Sequence, residues 1–134
     1  MTCLKDLIEA LRGELQQYGE MLARFDDADA NNMQPTAEEA QVRVKALQEQ
    51  AGVVEMALRR REKVQRQFAR YLCLPGGACL TDIIPLLPRQ QQLLVRALMD
   101  ENQELSVRVQ RRANRKRQLP RRPLPRMEGW LVAA

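Results

Sequence analysis

Apolar residues return along this chain in alternating steps of four and three, the spacing of helices that pack on other helices. The run Leu4, Ile8, Leu11, Leu15, Tyr18, Leu22, Phe25 keeps to one narrow helical face, because 3.6 residues per turn bring every third or fourth side chain to the same side. It predicts a first helix over about residues 2–25. The period fails in Asp26-Asp27-Ala28-Asp29-Ala30-Asn31-Asn32, where carboxylates at a helix C-terminus would oppose the macrodipole.

A second helix is expected over about residues 36–73. Thr36-Ala37-Glu38-Glu39 has the spacing of a capping box, with Thr36 serving the Glu39 amide and Glu39 reaching back. Its ladder runs Ala40, Val44, Leu47, Ala51, Val54, Leu58, then Arg61, Gln65, Phe68, Leu72. Gly52 lowers helix propensity, and its small neighbours suggest a close helix approach. Arg61 and Gln65 are polar ladder positions among Arg59, Arg60, Lys63, Arg66 and Arg70. Either this end is exposed, its long stems covering apolar surface, or it is a functional basic patch.

Leu74-Pro75-Gly76-Gly77 stops the rod. Leu80, Ile83, Ile84 and Leu87 then fall on one side of a short helical turn over 80–87. Pro88 suits the first turn of a third helix over about 88–119. That helix carries Val95, Leu98, Asn102, Leu105, Val109, Arg112, Lys116 and Leu119 at heptad spacing, with Leu94 beside the seam. Asn102 either fixes register through a polar partner or lies exposed on a rotated helix. Past Arg112 the seam turns polar, so the last third should stand off the bundle. Pro120, Pro123 and Pro125 exclude a continuous helix, leaving 120–134 as a basic, amphipathic tail. The expected fold is therefore all-α: a long antiparallel hairpin or coiled coil, a short helical turn and a third long helix in an elongated bundle. Residues 1–119 would form one domain, as a length of 134 suggests.

Composition agrees with a bundle. Hydrophobic residues are 45% but aromatics only 4%, which leaves Leu, Val, Ile and Ala to fill the core and disfavours a β-sandwich. The formal net charge is +5 and unevenly spread. Arg108, Arg111, Arg112, Arg115, Lys116, Arg117, Arg121, Arg122 and Arg126 form a basic segment without an acidic residue, so the rest is acidic on balance. That segment reads as a solvated face and tail, or as an interaction surface for phosphates. No aromatic lies between Arg108 and Arg126 for base stacking, so nucleic acid through 108–126 is an alternative and not the first choice.

Catalytic chemistry is scarce. The chain has no His, the commonest general base and metal ligand. Cys3, Cys73 and Cys79 lack the companions of a zinc site, and Pro75-Gly76-Gly77 lacks the spacing of a phosphate loop. Glu38-Glu39 and Asp26-Asp27 sit at helix ends, where capping or solvation explains them. Neither enzyme activity, metal nor cofactor is expected. An odd cysteine count, no secretory pattern at the start and no apolar run of membrane length point to a reducing, cytoplasmic setting.

Three segments carry a family resemblance. They are Tyr71-Leu72-Cys73-Leu74-Pro75-Gly76-Gly77, Leu80-Thr81-Asp82-Ile83-Ile84-Pro85-Leu86-Leu87-Pro88, and Asp100-Glu101-Asn102-Gln103-Glu104-Leu105 followed by Val109-Gln110 and Ala113-Asn114. In this order, over roughly residues 4–119, the chain resembles the FlgN-type flagellar export chaperones. The resemblance implies a cytoplasmic bacterial chaperone of type III export. Such a protein binds the C-terminal helical segment of hook–filament junction proteins, keeps them unassembled and delivers them to the export gate. Carried over by position, the implied client face is Leu94, Leu98, Leu105, Val109 and Leu119, extended by Leu124, Met127, Trp130 and Leu131. Pro120, Pro123 and Pro125 depart from the family, whose helix continues there. A coiled-coil scaffold that self-associates through the first two helices is a further alternative, and monomer and homodimer both fit.

Overall fold

A computed structural model of the chain describes residues 2–30 and 36–115. Within them lie α1 (Thr2–Ala30), α2 (Ala37–Tyr71), α3 (Leu80–Ile83) and α4 (Arg89–Arg115), with a 3-10 turn at Ile84–Leu86. No strand occurs among the described residues. The all-α bundle expected from the pattern is present, with the expected element order.

Helix α1 is the common partner of the other two long helices. The Gln50 amide of α2 donates to Gln17 Oε1 at 2.9 Å, and Arg61 Nε of α2 to Glu14 Oε1 at 2.9 Å. As α2 advances its partners in α1 recede, so the two helices are antiparallel. Asn102 of α4 meets Leu11 of α1, and Arg112 meets Asp26. Those partners advance together, so α1 and α4 run parallel. The course is up, down, then up again across the corner.

The core follows the ladders, with α1 turned slightly from the expected line. Leu7, Leu11, Tyr18, Met21 and Phe25 are fully buried, while Leu4, Ile8, Leu15 and Leu22 pack on the core but are half-exposed. From α2 come Leu47, Val54, Leu58 and Phe68; from the corner Leu80, Ile83, Ile84 and Leu87; from α4 Val95, Leu98, Met99 and Val109.

Helix ends differ from expectation in informative ways. Helix α1 continues through the acidic run to Ala30, because Phe25 is buried and Asp26 is held by Arg112 Nη1 at 2.8 Å. These tertiary contacts outweigh the macrodipole, worth about 0.3–1 kcal/mol at an exposed site. At the start of α2, Thr36 Oγ1 accepts the Glu39 amide at 3.1 Å, which is the Thr36 half of the expected box; among the described residues the return bond from Glu39 does not form. Its C-terminus is a Schellman motif: Leu74 N–H donates to Ala69 O at 2.8 Å and Cys73 N–H to Arg70 O at 3.0 Å. Cys73 takes the left-handed position at φ 61°, so the rod stops before Pro75-Gly76-Gly77. Pro88 lies just outside α4 and accepts from Gln91 and Gln92 through its carbonyl. Gly52 marks no close approach, since a Cβ there would meet nothing within 4 Å. Residues 116–119, expected as helix, and the tail 120–134 lie outside the described residues.

Candidate functional site

The polar ladder positions are neither an exposed end nor a basic patch. Arg61 and Gln65 are buried, and the Arg61 and Glu14 side chains are 1% and 0% exposed. Tyr18 Oη donates to Glu14 Oε2, Arg61 Nη1 donates to Gln65 Oε1 at 2.8 Å, and Gln65 Nε2 donates to Ala78 O at 3.0 Å. A chain of hydrogen bonds thus ties α1 to α2 and α2 to the corner. Burial lifts the Glu14 carboxyl above its ordinary pKa of 4.5, with the Arg61 charge opposing. Burial and the Glu14 carboxylate push the Tyr18 hydroxyl up as well. The reason is desolvation, which disfavours a charged form more than one partner restores it.

Nothing in this network resembles an open reaction site: every member faces packed protein. Among the described residues no group of His, Cys, Asp or Glu is placed to hold a metal, and no helix is long and apolar enough to cross a membrane. Cys3, Cys73 and Cys79 are free thiols, half-buried, exposed and buried in turn.

The surface with binding character lies along the outer side of the α1–α4 pair. Leu4, Ile8, Leu15 and Leu22 form one stripe on α1, and Leu94 and Leu105 flank the core line of α4; all six are half-exposed. Asp26 continues the α1 stripe four residues past Leu22, and Arg112 follows Leu105 by one heptad. Their 2.8 Å ion pair joins the two stripes at that end. The Arg112 guanidinium also lies 5.4 Å from the Phe25 ring centre. At the other end the stripe opens into a cleft of about 510 Å³ lined by Leu4, Phe68, Leu72, Leu86, Leu87 and residues 88–91. A smaller hollow of about 330 Å³, lined by Leu4, Ile8, Glu9, Arg12 and Gln91 among others, joins cleft to stripe. From Leu4 to Leu22 this shoulder is about 27 Å long, the length of an 18-residue helix.

The residues of the expected client face divide. Leu94 and Leu105 belong to the shoulder, while Leu98 and Val109 are 8% and 0% exposed and close the chain's own core. Leu119, Leu124, Met127, Trp130 and Leu131 lie outside the described residues. Asn102 is buried and donates to Leu11 O at 3.0 Å and Leu98 O at 2.9 Å, the interhelical pairing of the register alternative. In the basic segment, Arg108 pairs with Glu104 at 2.7 Å, Arg112 with Asp26, and Arg111 and Arg115 are exposed. Lys116, Arg117, Arg121, Arg122 and Arg126 lie outside the described residues.

Sequence reasoning missed the α1 half of the shoulder. The available signal was Leu7, Ala10 and Met21 beside the Leu4-to-Phe25 ladder, an apolar arc too wide for one neighbour. No protein-family model, curated protein or solved structure matches this chain.

Proposed function

We propose that this protein is a helix-holding export chaperone, acting in the cytoplasm by binding and not by catalysis. The single observation that supports it is the half-exposed leucine shoulder along α1 and α4. A client's amphipathic helix, laid along it, would cover Leu4, Ile8, Leu15, Leu22, Leu94 and Leu105 in the helix-in-groove mode. Each Å² of apolar surface covered contributes about 25 cal/mol, less the cost of ordering the client. The resemblance to FlgN-type chaperones suggests the client: the C-terminal helical segment of a hook–filament junction protein, carried to the export gate. In this reading the seat shifts from the inner α4 line to its outer flank, because Leu98 and Val109 already serve the core. The nucleic-acid alternative is weaker, since Arg108 and Arg112 are engaged by carboxylates.

The test is isothermal titration with C-terminal peptides of hook–filament junction proteins. Ile8→Asp and Leu105→Asp should each lower affinity at least tenfold with helicity by circular dichroism retained. Leu93→Asp, at a position 73% exposed, is the control and should bind as the parent does. Equal affinity in all three variants, or no binding by the parent protein, would sink the proposal.

A further inference from the structure

Helix α2 carries a second apolar line that points away from the core. Val42, Val53 and Met56 are 68%, 41% and 72% exposed. At 100° per residue they fall within an arc of about 60°. Glu49 and Arg60, both exposed, lie on the same line, one turn before Val53 and one turn after Met56. Among the described residues, no ion pair within the chain engages Glu49 or Arg60.

Charge along α2 is divided between its halves. From Ala37 to Glu55, Glu38, Glu39, Glu49 and Glu55 outnumber Arg43 and Lys45. From Met56 to Tyr71, five arginines and Lys63 face the single Glu62, and of the arginines only Arg61 is buried against Glu14. A rod that is acidic in its first half and basic in its second complements an antiparallel copy of itself. The same patch then serves both sides of a two-fold interface, which closes and does not propagate.

We propose that a second copy of this chain packs on this line, α2 against α2, around a two-fold axis between Val54 and Glu55. That axis sets Val53 opposite Met56 of the second copy and Glu49 opposite Arg60 of the second copy, each pair occurring twice. The apolar pair supplies burial at the centre, and the charge pairs on either side select the antiparallel direction and the register. The contact uses a face of α2 remote from the client shoulder, so either can fail without the other.

Sedimentation velocity at micromolar concentration tests it, with circular dichroism to confirm that each variant folds. The full chain should sediment as a dimer, and Met56→Lys as a monomer. Glu49→Arg and Arg60→Glu should each be monomeric alone, because each sets like charges against each other at both ends. An equimolar mixture of these two variants should regain the dimer, since the first presents only cations and the second only carboxylates. A monomeric parent chain, a dimer that survives Met56→Lys, or single variants that fail to recombine would each overturn the proposal.

Discussion

The two seams that α1 makes are built on opposite plans. Toward α2 it buries a carboxylate, Glu14, against Arg61 of the neighbouring helix, with Tyr18 and Gln65 adding a hydrogen bond each. Toward α4 it presents leucines, a single Asn102 bond to the Leu11 carbonyl, and an ion pair at the rim whose Asp26 side chain is 70% exposed. One seam is sealed and directional; the other is greasy and left ajar. A buried ion pair is poor evidence for added stability, because desolvation offsets most of the Coulombic gain. What it imposes is a partner: only an alignment that brings Arg61 to Glu14 avoids a lone buried charge. The leucine seam imposes no such condition, and leucines accept another helix as readily as their own.

The sharpest way to break the contrast is to remove one member of the buried pair. Glu14→Ala should cost about 3–5 kcal/mol in urea unfolding, since it strands the Arg61 charge in the core. Replacing both partners, Glu14→Leu with Arg61→Met, should recover most of that loss, and a double variant no better than Glu14→Ala would refute the assignment.

Next in size is a pH effect confined to the same seam. The Glu14 carboxyl is raised in the folded protein above its ordinary 4.5 by burial, against the pull of Arg61 and with a smaller push from Glu62. A group raised in this way holds its proton more tightly folded than unfolded. Its stabilising contribution is therefore complete below pH 4.5 and is lost as pH rises through the folded value. Unfolding free energies in that window should carry a downward slope on the order of 1 kcal/mol per pH unit. Glu14→Gln should abolish it, and an unchanged slope in that variant would locate the titration elsewhere.

The smallest effect belongs to the open seam. Arg112→Ala removes the Asp26 pair and the Phe25 ring contact. The loss should stay below about 1 kcal/mol, because one partner of the pair is largely in water. A thermal melt showing a loss as large as that of Glu14→Ala would erase the distinction between the seams.

Much of this architecture was legible in the residues. The apolar ladders, Thr36 as a cap, the stop near Pro75 and the short corner all follow from local rules, and local rules dominate in helices. What escaped was most of what contacts distant in sequence set, the Asn102 bond to Leu11 being the exception. Glu14 lies three residues from Leu11 and four from Tyr18, on the core side of α1, yet only Arg61 on the next helix explains its presence there. Arg61 and Gln65 looked like an exposed end for the same reason. The α1 half of the shoulder was hidden because a ladder shows which residues share a face, not how much of that face a neighbour covers.

The placement of α1 between α2 and α4 also bears on how the molecule is made. Translation releases α1 and α2 first, and the Glu14–Arg61 pairing can close while α4 is still being synthesised. At about 5–20 residues per second, the stretch from Tyr71 to Arg115 takes roughly two to nine seconds. For that interval Leu11, Leu15 and Leu22 face solvent on a finished hairpin, so the nascent chain passes through a sticky, unshielded stage before α4 packs beside them.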